Sequence, residues 1–270
     1  MTATAAKKTR GRPRSADPDR PGAAVQSLER ALALMSALAR EEKATLSDLS
    51  LKTGTPPSTA HRLLTTLEAR GWVAFEEATN FWSVGVEAFR TGSAFARRTR
   101  VAEAARDEMR ALVAQTGETA NVATPDGGDV VFVSQIETSH PIRAFFGQGA
   151  RAPMHASGIG KALLATLPRE AVERLLQRTG LAEFTPRTLA SPAALFEDLE
   201  RTRARGWALD DEERTPGMRC VAAAIFDHHG EAVAGISISG PTARLPLDVV
   251  GEFGPMVRRA AQRVTERIGG

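Results

Sequence analysis

Residues 46–71 read LSDLSLKTGTPPSTAHRLLTTLEARG, and this stretch decides the fold of the N-terminal part. The pattern predicts a short helix from about Leu46 to Thr53. Gly54 follows at the position just past a helix end, where a left-handed backbone carries no Cβ penalty. Pro56 and Pro57 bar continuation, and Pro57 suits the first turn of a new helix, where its missing N–H would have had no partner. From Ser58 onward, Leu63, Leu64 and Leu67 form a stripe at helical spacing. Ser58, Thr59, His61, Arg62, Thr65 and Thr66 fall mostly on the opposite side. A helix, a tight turn, and a second helix with an apolar back and a hydroxyl, imidazole and guanidinium front match the helix-turn-helix pattern. An amphipathic hairpin in an all-helical domain would share those features, so the flanking sequence has to separate the two.

Upstream, VQSLERALALMSALAR (residues 25–40) places Val25, Leu28, Ala31, Leu32, Met35 and Leu38 at helical spacing, a helix expected to bury that face behind the other two. Downstream, residues 72–75 (WVAF) and 81–84 (FWSV) flank a polar loop, which reads as a β-hairpin. Three helices followed by a hairpin describe a winged helix-turn-helix, and a generic helical hairpin does not predict a wing at this place. Residues 85–100 read as a linker helix. The organisation expected is a disordered basic tail over 1–21, a winged helix-turn-helix over 22–84, the linker over 85–100, and a second domain over 101–270.

A chain of 270 residues with 42% hydrophobic and 25% charged residues fits a soluble globular protein of one large or two modest domains. No apolar run is long enough for a membrane span, and the basic N-terminus lacks the apolar core of a signal peptide. One cysteine, Cys220, excludes an intramolecular disulfide and suits a reducing cytoplasm. The net charge is only +3, but residues 1–20 hold six basic against two acidic residues, so the positive charge sits in the tail. Such an arm is a frequent nucleic-acid accessory. Within it Arg10, Arg12 and Arg14, in Arg-Gly-Arg-Pro-Arg, resemble an AT-hook core that lies in the minor groove of A·T-rich DNA. A solvated tail, or one adding only phosphate attraction, would look the same.

The texture changes beyond Gly117. Residues 101–115 predict a helix, and 118–138 two strands turning at Asp126-Gly127-Gly128. Residues 142–146 (IRAFF) read as a further strand. Ser157-Gly158-Ile159-Gly160 opens a helix that ends by Pro168, and 169–178 forms another. Ser191 as cap and Pro192 as first residue begin a helix ending at Gly206. Residues 221–226 and 232–239 flank His228-His229-Gly230 as a strand pair, and a last helix spans about 247–268. Antiparallel strands with helices packed on them make an α+β domain.

Four segments carry a family likeness: STAHRLLTTLEARGWV, then GARAPMHASGIGKALLA (149–165), RGWALDDEERTPGMRCVAAAIFD (205–227) and GISISGPTARL (235–245). Together, and in this order, they resemble the IclR-type transcriptional regulators from about Val25 to the C-terminus. The resemblance implies an N-terminal DNA-binding domain, a linker helix, and a C-terminal GAF-like domain that binds a small-molecule effector, with no cofactor. It also implies homodimers or homotetramers on palindromic double-stranded operators. The MHASGIGKALL segment, the Asp210/Cys220 pair and GISISG look most similar to the glyoxylate- and allantoin-related subgroup, which makes glyoxylate or a similar small oxo-acid the expected effector.

The residues themselves argue for an acid-binding pocket. The turn before Lys161 opens a helix, whose first N–H groups lack internal partners and whose dipole is positive there, a setting for a carboxylate. Gly158 and Gly160 would let a ligand approach the backbone beside Ile159. Ser237 and Ser239, two apart on a strand, point to one face and need polar partners. Asp210 could accept from a hydroxyl or hydrated aldehyde at the other end of the ligand, and Cys220 would form a compact wall. The plain alternatives are a core cysteine, an edge strand with solvated serines, glycines that only allow tight packing, and a solvated acidic loop at 210–213. Gly160-Lys161 suggests a phosphate-binding loop, but His155 and Ala162 stand where that motif needs Gly and Ser or Thr. His155, His228, His229 and Cys220 lack structural zinc spacing, so no metal is expected. The rival functions are a small-acid enzyme using Ser157 or Cys220, for which no triad order is present, and a non-specific architectural DNA binder. The expected DNA contacts are Ser58, Thr59, His61, Arg62 and Thr65.

Overall fold

The computed structural model describes residues 25–144 and 146–270, with the backbone alone for 96–99. The tail arginines Arg10, Arg12 and Arg14 lie outside the described residues. The chain divides into two compact units between Phe95 and Ala96.

The first unit runs α1 (Gln26–Glu41), β1 (Lys43–Ala44), α2 (Leu46–Thr53), α3 (Pro57–Glu68), β2 (Val73–Glu76) and β3 (Phe81–Val84), followed by α4 (Val86–Thr99), which crosses the division. The strands form one antiparallel sheet in the order β1-β3-β2. Leu34, Leu38, Leu49, Ala60, Leu64, Val73 and Trp82 fill the core. Phe75 packs on Trp82 with ring centroids 4.6 Å apart, which fixes the hairpin over the helices. The expected buried face of α1 needs correction. Val25, Leu28 and Leu32 are exposed, and the core takes Leu34, Ala37 and Leu38, with Ala31 and Met35 half-buried. Two adjacent apolar stripes run along this helix, and α2 and α3 cover only one.

The second unit runs α5 (Val101–Ala104), α6 (Arg106–Thr116), β4 (Thr119–Asp126), β5 (Asp129–Ile136), β6 (Arg151–Pro153), a 3₁₀ turn (Met154–Ala156), α7 (Gly158–Leu164), α8 (Arg169–Thr179), α9 (Pro192–Arg205), β7 (Ala208–Asp211), β8 (Met218–Phe226), β9 (Ala232–Pro241) and α10 (Leu247–Arg267). Its six strands are antiparallel in the order β6-β5-β4-β9-β8-β7. Both faces are covered. Val221, Ala223 and Ile225 of β8 point toward α6 and α10, while Ala222 points toward α7, α8 and α9. That double burial is why residues 220–226 read as an almost unbroken apolar run, without the alternation of a half-solvated strand. Ser191 caps α9 through the Ala194 N–H at 3.3 Å, with Gly206 left-handed past its end, as the sequence predicts.

Three expectations are corrected here. Residues 142–144 are not strand, and the neighbour of β5 is β6. Phe146 instead stacks on Phe132, with ring centroids 4.6 Å apart. The helix expected over 101–115 is broken at Ala105 into α5 and α6. The helix after Ser157 ends at Leu164, short of Pro168.

Candidate DNA-reading surface and effector pocket

The geometry of α3 follows from its ends. Thr45 and Asp48 form a reciprocal capping box at the start of α2: the Asp48 N–H donates to Thr45 Oγ1 and the Thr45 N–H to Asp48 Oδ2, each at 3.2 Å. Gly54 ends α2 with φ of 63°, and Pro57 is the first residue of α3. The Ser50 hydroxyl donates to the Thr55 carbonyl at 2.6 Å and ties the turn back onto α2. Ala60 and Leu64 are fully buried, with Leu63 and Leu67 beside them. The other side carries Ser58, His61, Arg62 and Thr65 exposed and Thr59 half-buried. All five expected contact residues therefore share the accessible side of α3. Thr66 is tied back to the Arg62 carbonyl at 2.8 Å, whereas the Arg62 side chain has no hydrogen bond or ion pair among the described residues.

In the second unit a cavity of about 320 Å³ opens between the sheet, the start of α7 and the β7–β8 turn. The sheet register assembles its polar wall. Asp210 pairs with Cys220, Cys220 with Ser239, and Ala222 with Ser237, so Asp210, Cys220, Ser237 and Ser239 converge on one face. Ser239 Oγ lies 3.4 Å from Asn121 Nδ2, while the fully buried Ser237 hydroxyl, beside the Cys220 thiol, has no hydrogen-bond partner among the described residues. A native buried hydroxyl without a partner calls for an explanation, and a polar ligand or water supplies one. Gly158 and Ile159 also line the cavity.

Gly160 does not, which corrects its expected role. A Cβ there would sit 2.3 Å from the Met154 Cα, and its N–H donates to Ser157 Oγ at 3.0 Å, so this glycine serves close packing. Gly158 combines both roles, since a Cβ would meet Cys220 Sγ at 2.7 Å. Phe132, Phe146, Arg143, Met218, Arg214 and Arg219 also line the cavity without having been singled out from the sequence. Arg143 is held by Glu137 and Arg219 by Asp211, each at 2.5 Å, but Arg214 forms no ion pair among the described residues and donates to the Arg151 carbonyl at 3.0 Å.

Asp210 is half-buried at the cavity wall. Burial pushes its carboxyl up to about 6, against the Glu213 N–H, which donates to Oδ1 at 2.9 Å, and against Lys161. Burial likewise pushes the Cys220 thiol up to about 11, with Asp210 adding to the effect. Behind Asp210 lies a feature the sequence did not announce. Lys161 is fully buried, and its ammonium donates to Asp198 Oδ2 at 2.8 Å, to Glu213 Oε1 and to the Leu209 carbonyl. Burial opposes the charge on Lys161, but Glu213 and Asp198 outweigh it and hold its pKa above the ordinary value. The phosphate-loop likeness of Gly160-Lys161 thus disappears, because the lysine points into the core. His155 lies 2.9 Å from the Ala182 carbonyl and is not in the pocket lining. Among the described residues no group of three or more His, Cys, Asp or Glu side chains could hold a metal ion, and no helix is long and apolar enough to cross a membrane.

The raised Asp210 pKa has a stability consequence of definite sign. Between its ordinary value of 3.8 and about 6, the folded chain holds a proton that the unfolded chain has released, so stability falls as pH rises through that window. The loss is at most about 3 kcal/mol above pH 6. Asp210→Asn keeps the acceptor for the Glu213 N–H and removes the charge. Urea denaturation should find this variant more stable than the parent by about 2 kcal/mol at pH 8 and nearly equal at pH 4; equal stability at pH 8 would contradict the burial of that carboxylate.

The comparisons with known proteins agree with this architecture. Residues 27–77 match the IclR helix-turn-helix domain, and residues 93–266 match the bacterial transcriptional regulator IclR C-terminal family. The chain is 52% identical over 221 residues to the HTH-type transcriptional regulator BhcR of Paracoccus denitrificans, covering 82% of this chain and 79% of that one. It is 44% identical over 249 residues to the transcriptional repressor IclR of Escherichia coli, covering 91% of each. Among solved structures, Thermotoga maritima IclR superposes with a TM-score of 0.75 at 27% identity, covering 91% of this chain and 99% of that one. These relatives are regulators of transcription, not enzymes. With both domains matched in order, the chain belongs to the IclR family of bacterial transcriptional regulators, with an N-terminal DNA-binding helix-turn-helix and a C-terminal effector domain.

Proposed function

We propose that this regulator grips operator DNA as a homodimer or homotetramer through α3, and that a small carboxylate or oxo-acid such as glyoxylate, bound in the 320 Å³ cavity, changes its DNA affinity. The observation that carries the effector reading is the Ser237 hydroxyl, without a hydrogen-bond partner among the described residues, beside Ser239 and Asp210 in a cavity of ligand size. Arg214, bound to a carbonyl but in no ion pair among the described residues, offers a cation for the acid group, and Ile159 offers a first-turn backbone donor. Asp210 accepts from the hydrated carbonyl end. A two-carbon acid leaves room for water, and larger oxo-acids fit the same donors. Two recognition helices in a dimer would enter successive major grooves about 34 Å apart. The basic tail adds attraction for phosphates or for the minor groove.

Neither rival gains support. A thiol raised to about 11 is almost wholly protonated near neutrality and a poor nucleophile, and Ser157 is committed to capping the Gly160 N–H while His155 faces Ala182. A specific pocket is likewise unnecessary for an architectural DNA binder. Calorimetry with glyoxylate tests the site. Ser237→Ala and Ser239→Ala should each weaken binding about tenfold or more while the fold stays intact, whereas parental affinity in both variants would overturn the pocket.

A further inference from the structure

A second cavity, of about 370 Å³, opens between α9, α10 and β8, away from the residues assigned above. Its existence follows from small side chains: Ala162 of α7, Ala165 just past its end, and Ala223 and Ala224 of β8 line it and leave the space. Trp207 and Phe226 supply aromatic surface. The Trp207 ring is held against the α10 backbone, since a Cβ on Gly254 would come within 2.1 Å of it.

Two observations point to a ligand. The first is Thr202, which lines the cavity, is 3% exposed, and has a hydroxyl with no hydrogen-bond partner among the described residues. A helical threonine normally donates to the carbonyl one turn back, and this one does not. The second is charge. No acidic residue is among the lining residues, yet Arg203 and Arg258 are. Arg203 is engaged with the Ala165 and Leu167 carbonyls and with Glu200. Arg258 is exposed and has no ion pair among the described residues, only a long 3.5 Å contact to the Arg205 carbonyl. Arg205, outside the lining but stacked 4.0 Å over the Trp207 ring, has a buried Nη2 with no hydrogen-bond partner among the described residues. The groove therefore combines a cationic rim, an apolar bed and one orphan hydroxyl.

We propose that this groove is a second small-molecule site, taking a monocarboxylic acid with a compact apolar body, its carboxylate on Arg258 and its body over the alanines and Phe226. The volume lies in the range of about 300–1,000 Å³ usual for such sites. The two cavities share no lining residue, but Ile159 at the start of α7 lines one and Ala165 just past its end lines the other. An occupant here would thus touch the same helix as the effector.

The test uses the full-length protein and 4-fluorobenzoate, followed by fluorine NMR. Saturable binding is expected in the parent. Arg258→Glu should weaken it about tenfold or more, the loss of a charge-assisted hydrogen bond, with an unchanged melting temperature because that side chain is exposed. Thr202→Val should weaken it as well. No saturable binding, or binding that Arg258→Glu leaves untouched, would overturn the proposal. So would displacement of the probe by glyoxylate or its loss in Ser237→Ala, either of which would put the probe in the first pocket.

Discussion

Lys161→Ala is expected to destabilise the C-terminal unit by about 3–5 kcal/mol, the usual cost of removing one partner from a buried ionic cluster. The ammonium is fully buried and ties α7, on which it stands, to α9 through Asp198, to β7 through Leu209 and to the β7–β8 connection through Glu213. Without it, two carboxylates face each other with no cation between them. Glu213, already pushed up to about 7 by burial, would take a proton, and its Oε2 has no hydrogen-bond partner among the described residues even in the parent. Denaturation followed by circular dichroism measures the loss. Adding Glu213→Gln to Lys161→Met should restore part of it, because an uncharged pair leaves fewer naked charges. A single-variant loss under about 1 kcal/mol, the range of surface pairs, would mean that the cluster does not form.

Arg62→Ala is expected to abolish sequence-specific DNA binding while leaving folding and assembly unchanged. Arg62 is exposed on α3 and contributes nothing to the core built by Ala60 and Leu64. An arginine bidentate to guanine is worth about 1–3 kcal/mol. A dimer presents the residue twice, so the loss in affinity should be about 10²–10⁴-fold. Gel shift against the regulator's own promoter reads it directly, and parental affinity in the variant would remove α3 from the groove. If Arg62 contacts only phosphate, the loss is smaller, uniform across sequences, and accompanied by a shallower salt dependence.

Much of this molecule is legible in its sequence because the decisive signals are local. Gly54, Pro56 and Pro57 settle the turn by themselves, and Ser191-Pro192 with Gly206 brackets α9. What stayed hidden depends on partners far along the chain. Lys161 sits in a glycine-bearing turn that looks ready for an anion, yet its carboxylates lie 37 and 52 residues downstream and draw it inward. Gly160 reads the same whether a ligand or the Met154 backbone approaches it, and only the fold chooses Met154. β7 escaped because Asp210 and Asp211 look like a solvated loop, whereas pairing with β8 turns Asp210 into the cavity. Residues 142–146 carry strand-forming side chains, but 142–144 form no strand and Phe146 stacks on Phe132, a tertiary contact that overrides local strand propensity. On α1, periodicity marks two apolar stripes and cannot say which one finds a neighbour.

The most direct measurement of the central claim is the affinity for operator DNA at increasing glyoxylate, compared between the parent and a Ser237→Ala/Ser239→Ala double variant. The parent's affinity should shift with the acid, and the double variant should bind DNA equally well with a flat response. A double variant that answers glyoxylate like the parent, or a parent whose DNA affinity ignores every small oxo-acid offered, would contradict the coupling of that pocket to the DNA-reading helix.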